Sequence, residues 1–391
     1  MPKKGNVLIF QGGGVTPVIN QSLAGVVQAA VSSRQFGGIY GASNGLDGVL
    51  QEDFRDLRRV SAAAWRRVSA TPGAALGSSR RRLKPEDVEQ ALDILHARDV
   101  TTLLPIGGND SAESAHSLAT VAVGRRQDLR VVVVPKTIDN DLPEMDHCPG
   151  YGSAARFIAL ATMGVGRDAE SMGEASPITV LEVMGRNAGW LAAASTLGKS
   201  EERDPPHFVA FPEVLFDQDV FIARIEGAYR RFGFAVAVVC ENLKGPNGPL
   251  GHEGEPLYVD QFDHPYFQSP GQHLATTLSR RMGLRVRFEK PGAIQRSLVG
   301  CVSAVDASEA YEAGARAVSA ALGGQTDAMV TLLRGRERVY RCRFGVAPLT
   351  KIATKERVLP TGFMEDGLPS NAFITYAKPL VGLLPVFARL D

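Results

Sequence analysis

The chain of 391 residues lacks any close pair of cysteines. Its cysteines stand far apart and form no CxxC spacing; they are Cys148, Cys240, Cys301 and Cys342. Cys240 and Cys301 fall within apolar runs, as small buried hydrophobic side chains do. This pattern argues against a disulfide framework and favours a reducing cytosol.

The sequence also lacks long hydrophobic runs and an excess of either charge. No stretch of about 18 apolar residues occurs, and residues 1–14 do not have the layout of a signal peptide. The 43 basic and 42 acidic residues leave a net charge of +1, so nothing indicates a general nucleic-acid or membrane surface. We therefore expect a cytoplasmic protein that binds neither nucleic acid nor membranes.

What the sequence does contain is an alternation of short apolar runs with amphipathic stretches. Near-continuous β-branched runs between helical patterns predict an α/β protein with mainly parallel sheets covered by helices. The length of 391 residues is typical of two domains. The predicted strands are 6–10, 101–106, 129–134, 178–183, 208–211, 234–239 and 328–333, and the predicted helices are 18–33, 85–97, 111–123, 151–171, 187–197, 217–231, 269–282 and 306–322.

Three segments without clear periodicity divide this pattern. Residues 142–150 separate the first strand–helix units from the rest and are a candidate domain boundary. Residues 242–275, rich in glycine, proline and aspartate, exceed an ordinary connection, so we predict a surface excursion or an active-site flap. The last ~50 residues, rich in proline and glycine turns, are expected to fold back over the first half.

Glycines and polar residues follow the predicted strands, whereas the strands themselves contain almost none. The segments after the first three strands are QGGGVTP, GGNDS and PKTIDND, and later strands are followed by MGRNAGW and CENLKG. Ligands of parallel α/β sheets bind at the carboxyl ends of the strands. The sequence therefore predicts an active site along this edge.

Two of these segments are candidate phosphate-binding loops. Residues 12–14 and 107–108 are glycines that precede a predicted helix, whose N-terminus favours anions, although tight turns also favour glycine. The absence of GxGxxG after the first strand argues against a Rossmann dehydrogenase. Asn109 or Asp110 could cap the following helix, but a helix needs only one such cap. If the loop binds phosphate, the carboxylate of Asp110 requires a metal ion or a lysine to offset its charge.

The segment VPKTIDNDL (134–142) crowds one lysine and two aspartates at the end of a strand. Lys136 can supply the offsetting charge, Asp139 is a candidate general base, and Asp141 is its neighbour or a partner of Mg²⁺. Phosphoryl transfer requires anion binders, Mg²⁺ and a carboxylate that accepts a hydroxyl proton. The alternative is a surface loop with an Asx turn and ion pairs.

The second half supplies further candidates. Met184, Gly185 and Arg186 follow one strand, and Glu241 ends another, where a buried carboxylate would be costly without a sugar hydroxyl or cation. Arginine guanidinium groups suit a phosphate monoester, and Arg287 and Arg296 are the candidates here. In the basic stretch 55–84, which is otherwise typical of a solvated surface, Arg80 is a candidate anion ligand.

In their order along the chain these motifs resemble those of the phosphofructokinases, and more narrowly the pyrophosphate-dependent 6-phosphofructokinases. The matching segments are GGGVTPVIN (12–20), GSSR (77–80), GGNDS (107–111), PKTIDNDL (135–142), EVMGRNAGW (182–190), CEN (240–242) and PGAIQRS (291–297). The resemblance implies two Rossmann-like lobes with the active site in the cleft, Mg²⁺ as cofactor and an oligomer of at least two subunits. We accordingly expect residues 1–145, with parts of the C-terminal segment, to bind diphosphate, residues 146–340 to bind sugar phosphate, and residues 341–391 to pack back on the lobes.

The resemblance further implies transfer of a phosphoryl group from diphosphate to the 1-hydroxyl of fructose 6-phosphate. Asp139 would be the base, and Thr137 would hold the transferred group. The implied catalytic residues are Lys136, Thr137, Asp139, Asp141 and Asp110, and the implied diphosphate ligands are Gly13, Gly14, Arg80, Gly108 and Lys136. The implied sugar-phosphate ligands are Thr137, Ile138, Asp139, Met184, Gly185, Arg186, Glu241, Arg287, Ala293 and Arg296, with Arg287 or Arg296 coming from a neighbouring subunit.

The predicted donor depends on Asp110 and Lys136, where ATP-dependent members carry glycine. A carboxylate at position 110 would stand where the α-phosphate of ATP lies, and such a like-charge contact at ~4 Å costs about 4 kcal/mol at an effective dielectric near 20. Lys136 would neutralise the phosphate charge of diphosphate, a task that in ATP-dependent members is spread along the bound nucleotide. We therefore predict diphosphate as donor; an ATP-dependent enzyme of the same fold is the alternative.

The chain departs from the family pattern at Asn109 and Ala293. Asn109 occupies a position that is often an Mg²⁺-bound aspartate, so direct and water-mediated metal binding both stay open. Ala293 stands where relatives place histidine or tyrosine, which leaves a longer ketose phosphate such as sedoheptulose 7-phosphate as an alternative acceptor. A non-catalytic sugar-phosphate sensor is disfavoured because Lys136, Asp139 and Asp141 are all present.

Overall fold

The computed structural model describes residues 4–251, 257–259, 265–266, 268–337 and 339–390. The chain forms two compact units, each with its own main sheet. The first unit contains Met1–Ser153 and Arg296–Arg357, and the second contains Ala154–Gln295 and Val358–Asp391. Both units are therefore discontinuous in sequence.

The helices and strands have the following bounds. The strands are β1 (Asn6–Gln11), β2 (Ile39–Ala42), β3 (Phe54–Asp56), β4 (Val100–Gly107), β5 (Arg130–Pro135), β6 (Ile178–Val183), β7 (Phe208–Ala210), β8 (Ala235–Cys240), β9 (Lys244–Gly245), β10 (Gly248–Pro249), β11 (Tyr258–Val259), β12 (Pro265–Tyr266), β13 (Val286–Glu289), β14 (Ala328–Arg334), β15 (Cys342–Pro348), β16 (Met364–Glu365) and β17 (Leu368–Pro369). The α-helices are α1 (Ile19–Ser33), α2 (Gly45–Leu50), α3 (Ala62–Ser69), α4 (Pro85–Ala97), α5 (Asn109–Gly124), α6 (Tyr151–Met172), α7 (Trp190–Ala194), α8 (Gln218–Phe232), α9 (Pro270–Met282), α10 (Ala304–Leu322) and α11 (Asn371–Val381).

The first unit is built on a seven-stranded sheet with the order β15-β14-β5-β4-β1-β2-β3. Its central strands are parallel, and only the outermost strands β3 and β15 run antiparallel to their neighbours. The chain order reverses beside β1, because β2 lies on one side of it and β4 on the other. This is the topological switch point at which α/β sheets bind ligands.

Alternate residues of the central strands feed two hydrophobic cores, one on each face of this sheet. One core contains Leu8, Phe10, Leu103, Val131 and Val133 and is covered by α2, α4 and α5. The opposite core contains Val7, Ile9, Leu104, Ile106, Val132 and Val134 and is covered by α1 and α10. These two helices approach closely at Gly25 and Gly314, where a Cβ atom would collide with the backbone of the other helix.

The second unit contains a fully parallel sheet with the order β13-β6-β8-β7. The strands β6 and β8 are buried along their whole length. Helix α8 begins with Asp217, whose side chain accepts hydrogen bonds from the N–H groups of Asp219 and Val220, and it ends at the left-handed Gly233. Among the described residues, no helix combines the length and apolarity needed to span a bilayer.

The predicted α/β class with mainly parallel sheets is confirmed, but the division of the chain differs from the expected boundaries. Residues 296–340, expected in the second lobe, belong to the first unit because β14 pairs with β5 and α10 packs on α1. The C-terminal segment is split, since β15 joins the sheet of the first unit and residues 358–390 belong to the second.

Two expectations concern shorter segments. The predicted helix 187–197 is only the short α7 followed by a 3-10 turn over Ser195–Gly198. Within the segment 242–275, the described residues form the short hairpins β9–β10 and β11–β12 and the start of α9. Residues 252–256, 260–264 and 267 of this predicted excursion or flap lie outside the described residues.

Candidate active site

Three loops meet at the carboxyl edge of the large sheet in the first unit. The N–H of Gly12, after β1, donates to the carbonyl oxygen of Ile106 at 2.9 Å, and the N–H of Lys136, after β5, donates to Gly107 at 3.1 Å. The loops after β1, β4 and β5 are thereby joined by backbone hydrogen bonds. This brings together the glycines and charged residues that the sequence placed on separate strands.

The glycine loop 12–14 is flanked by two cationic side chains. Gly13 has a left-handed backbone (φ 74°), and Lys136 Nζ lies 3.3 Å from where its Cβ would stand. At Gly14 a Cβ would lie 2.8 Å from Nη1 of Arg296, so any larger residue would displace this guanidinium. Nε of Arg296 is buried and has no hydrogen-bond partner among the described residues. The two cationic side chains beside this glycine backbone form a suitable anion-binding cradle.

A second chain segment lines the same loop. Gly12 forms a parallel bridge with Ser79, and the N–H of Gly13 donates to the Ser79 carbonyl at 2.9 Å. The hydroxyl of Ser78 donates to the carbonyl of Gly13 at 2.6 Å. Arg80 follows directly and is exposed. The motif 77–80 therefore runs beside the glycine loop. This position agrees with the prediction that Arg80 binds diphosphate.

The start of α5 excludes the capping interpretation of Asn109 and Asp110. The N-cap residue is Gly108, and within the described chain no side chain caps this helix. Asn109 instead donates through Nδ2 to Oδ2 of Asp141 at 3.1 Å. Its Oδ1 atom is buried and lacks a hydrogen-bond partner among the described residues. A buried amide oxygen beside carboxylates is a donor set that a hard cation such as Mg²⁺ accepts.

The loop after β5 holds the predicted catalytic residues close to one another. Lys136, Thr137, Ile138 and Asp141 are buried, while Asp139 is half-buried. The N–H of Asp139 donates to Oγ1 of Thr137 at 3.0 Å, and Thr137 in turn forms a bridge with Gly150. The surface-loop alternative therefore fails, because this segment is largely enclosed and internally bonded.

Asp110 lies at the mouth of a very small cavity. Its side chain is about half exposed and forms an ion pair with Nη2 of Arg82 at 3.6 Å. The cavity beside it has a volume of about 20 Å³ and is lined by Gly12, Gly13, Arg80, Asp110 and Ser111, among others. This volume corresponds to roughly one water molecule.

Four predicted sugar-phosphate residues of the second unit lie at the turn after β6: Met184, Gly185 and Arg186 belong to it, and Glu241 contacts it. Arg287 lies away from this turn, because it is opposite Thr179 near the start of β6. Gly185 has φ 140°, and a Cβ there would lie 2.6 Å from the carbonyl oxygen of Ala188. The N–H of Arg186 donates to Oε1 of Glu241 at 3.1 Å. Glu241 is half-buried, whereas the sequence suggested a buried carboxylate. Because solvent and the N–H of Arg186 both contact this carboxylate, its desolvation cost is lower than expected.

Gln295 is a supporting residue that sequence reasoning did not single out. It is buried, accepts from the N–H of Met184 at 3.1 Å and donates to the carbonyl of Gly292 at 3.0 Å. It thereby ties the turn after β6 to the segment that carries Ala293, which is exposed. Its position within the quoted PGAIQRS motif was the available signal.

The two arginines that the sequence grouped on the sugar phosphate belong to different units. Arg287, on β13, pairs with the carboxylate of Asp168 in the second unit, whereas Arg296 belongs to the first unit and lies beside Gly14. The other predicted residues of the first unit are Gly13, Gly14, Arg80, Gly108, Asn109, Asp110, Lys136, Thr137, Ile138, Asp139 and Asp141. Those of the second unit are Met184, Gly185, Arg186, Glu241 and Ala293.

Fold and site together define a doubly wound α/β protein whose glycine loops, cations and carboxylates line the switch point of its large sheet. Comparison with known proteins narrows this class. Residues 6–321 match the model of the family described as Phosphofructokinase, and the chain belongs to this family.

Full-length relatives agree with this assignment. The chain is 36% identical to the pyrophosphate–fructose 6-phosphate 1-phosphotransferase of Rhodospirillum rubrum, covering 97% of this chain and 95% of the relative. It is also 36% identical to the protein of the same name from Xanthomonas campestris, covering 98% and 93%. A crystal structure of the pyrophosphate-dependent phosphofructokinase from Nitrosospira multiformis superposes with a TM-score of 0.89 at 33% identity, covering 99% of this chain and 94% of that one.

Proposed function

We propose that this chain transfers a phosphoryl group from diphosphate to the 1-hydroxyl of fructose 6-phosphate, giving phosphate and fructose 1,6-bisphosphate. The observation that carries the proposal is the position of Lys136 beside the glycine loop 12–14, at the start of the loop that carries Asp139 and Asp141. The names of the full-length relatives agree with this reaction.

In the proposed reaction, the sugar 1-hydroxyl oxygen bonds to one phosphorus of diphosphate while the bridging P–O bond breaks. The hydroxyl proton passes to the carboxylate of Asp139, and the bridging electron pair leaves with phosphate. Lys136 and Arg296, which flank the glycine loop, stabilise the charge on the transferred group. Because the reaction is reversible, the protonated Asp139 returns the proton in the opposite direction.

Mg²⁺ is the cofactor of this proposal, and Asn109 and Asp141 are the residues that would hold it, directly or through water. The buried Oδ1 of Asn109 supports this assignment. When bound, the ion would neutralise diphosphate oxygens. The amide at position 109 also donates to Asp141, an interaction that a second carboxylate at this position could not make.

The donor is assigned to diphosphate by Asp110 and Lys136. The α-phosphate of a nucleotide would meet the carboxylate of Asp110. We assign the sugar phosphate to Thr137, to Asp139 and to the residues around Met184 and Glu241. Arg287 would have to leave its ion pair with Asp168 to contribute. The open position at Ala293 keeps a longer ketose phosphate as the second candidate acceptor. We place the enzyme in the cytoplasm as a homodimer or higher homo-oligomer.

A matrix of donors and acceptors tests this assignment. Purified protein with Mg²⁺ is assayed with diphosphate or ATP against fructose 6-phosphate or sedoheptulose 7-phosphate, and phosphate release and product formation are measured. We expect turnover with diphosphate and at least about a hundredfold lower kcat/KM with ATP, since the like-charge contact alone is worth a few kcal/mol.

The variant Asp110→Gly sharpens the donor test. Removing the exposed carboxylate should leave folding intact, lower kcat/KM for diphosphate and allow measurable binding of ATP. Arg59→Ala, a change at an exposed residue of the first unit, is the control and should leave both donors unaffected. Efficient turnover of ATP by the unchanged protein, with none from diphosphate, would overturn the donor assignment.

A further inference from the structure

A single distant arginine binds the backbone of the loop that carries Asp139 and Asp141. Arg357 lies more than two hundred positions later in the chain, at the end of the first unit. Its Nε and Nη2 donate to the carbonyl of Asn140 at 3.1 and 2.7 Å, and its Nη1 donates to the carbonyls of Met145 at 2.6 Å and Asp146 at 2.5 Å. Its backbone N–H donates to the carbonyl of Asp141 at 2.7 Å.

The loop needs such support because little regular structure holds it. Residues 138–149 form neither helix nor strand, and Asn140 and Glu144 adopt left-handed backbones with φ 58° and 62°. Non-glycine residues keep this conformation when their surroundings over-determine it. Asn140 is fixed from two sides, since its Oδ1 accepts from the N–H of Cys148 at 3.0 Å and its carbonyl accepts from Arg357.

The geometry of the contact is specific to a guanidinium group. Three nitrogens of one planar fork bind carbonyl oxygens at both ends of the segment from Asn140 to Asp146. A lysine ammonium is compact and cannot reproduce these separated, coplanar directions. Asp141 is thereby held twice, by Asn109 at its carboxylate and by the N–H of Arg357 at its carbonyl.

We propose that Arg357 is a positioning residue of the phosphoryl-transfer site. By binding the loop at Asn140, Met145 and Asp146, it fixes the carboxylates of Asp139 and Asp141 relative to Lys136 and Asn109. The inference rests on the proposed function, because it assigns Arg357 to the geometry of that reaction. A displacement of about 1 Å at a catalytic group costs roughly a hundredfold in rate, so the loss should appear in kcat.

Two variants of the full-length protein, Arg357→Lys and Arg357→Ala, test the proposal. We expect kcat to fall at least about tenfold in both, while KM for each substrate changes much less, because the glycine loop and the sugar-phosphate residues of the second unit are untouched. Guanidinium chloride at millimolar concentration, far below denaturing levels, should restore part of kcat in Arg357→Ala but not in Asp139→Asn. Sodium chloride at equal concentration is the salt control.

Arg389 provides a matched control at another half-buried C-terminal arginine. It binds Glu170 at 2.9 Å and Glu201 at 2.6 Å, both in the second unit. Arg389→Ala should lower stability without the selective loss of kcat and without rescue by guanidinium. An equal loss of kcat in Arg389→Ala, or an unchanged kcat in folded Arg357→Ala, overturns the proposal.

Hydrogen–deuterium exchange of the peptide covering residues 137–146 separates this inference from the proposed function. Faster exchange in Arg357→Ala and Arg357→Lys is expected whether or not the enzyme turns over diphosphate. If the unchanged protein transfers no phosphoryl group from any donor, the proposed function fails. The hydrogen–deuterium exchange rate of this peptide still tests whether Arg357 holds the loop. Unchanged exchange in both variants overturns that role.

Discussion

At the scale of single residues, the site depends on a few side chains whose neighbours define what they can do. Asp139 is half-buried in a loop that forms neither helix nor strand, and its N–H donates to Oγ1 of Thr137. Asn109 donates to one carboxylate and keeps a buried oxygen for a second partner. Such arrangements are visible only in three dimensions, because the partners are 32 positions apart in sequence.

The variant Asp139→Asn tests the general base at this scale. The amide keeps the size of the side chain but cannot accept the hydroxyl proton, so kcat should fall by about 10² to 10⁴ with little change in KM. Glu144→Gln makes the same chemical change at an exposed carboxylate of the same loop and should leave kcat unchanged. Steady-state kinetics in both reaction directions measure the effect; an undiminished rate in Asp139→Asn removes this residue from the mechanism.

At the scale of helices and strands, the sequence predicted the buried elements and missed the short or exposed ones. The strands β1, β4, β5, β6, β8 and β14 were predicted to within two residues because their β-branched runs are buried. β2 and β3 have only four and three residues, and the exposed faces of β15 dilute its hydrophobic signal. The position of β14 beside β5 could not be predicted, since pairing partners distant in sequence leave no local pattern.

The candidate site followed the same rule. The loop residues were found because glycines, carboxylates and cations at strand ends are informative locally and match a family in their order. Supporting residues such as Asp306 and Arg357 were not found, because neither lies in a distinctive motif. Gln295 lies in the PGAIQRS motif, but the motif did not indicate its supporting role. Their contribution comes from tertiary contacts alone.

Asp306 offers a test at the scale of one helix. This buried carboxylate accepts from the N–H groups of Gly150 at 2.8 Å and Ser153 at 2.9 Å, and so satisfies the N-terminus of α6. Asp306→Asn replaces one acceptor oxygen with a donor facing these groups and should reduce the free energy of unfolding by about 1–3 kcal/mol. Urea denaturation measures the change. The same substitution at exposed Asp219, in the first turn of α8, should cost almost nothing, and equal losses would contradict this role.

At the scale of the whole molecule, one buried cluster links the pH to the stability of the first unit. Both ring nitrogens of His147 face carboxylates, Nδ1 with Asp146 at 2.8 Å and Nε2 with Glu309 at 2.7 Å. Burial lowers the pKa of His147, but hydrogen bonds to the two carboxylates outweigh it, and the pKa is raised overall. Burial raises the pKa of the nearby Cys342 thiol to about 12.

The raised pKa of His147 predicts a direction for the pH dependence of stability. The protonated ring stabilises the fold fully below pH 6.5, its ordinary pKa, and this contribution is lost as the pH rises through the higher pKa of the folded state. His147→Gln should therefore be destabilised by a few kcal/mol at about pH 6 and by less at about pH 9. Denaturant unfolding at several pH values checks this; a difference that grows with pH would contradict the assignment.

The discontinuity of both units has a consequence for protein synthesis. β14 completes the sheet beside β5, but the ribosome makes residues 154–295 before β14 emerges. During that interval the nascent chain exposes the hydrogen-bonding edge of β5, a hydrophobic strand of the kind that recruits chaperones or aggregates. Ribosome-bound intermediates that end before residue 328 therefore cannot close the large sheet, and the loop bearing Asp139 acquires its anchor at residue 357 later still.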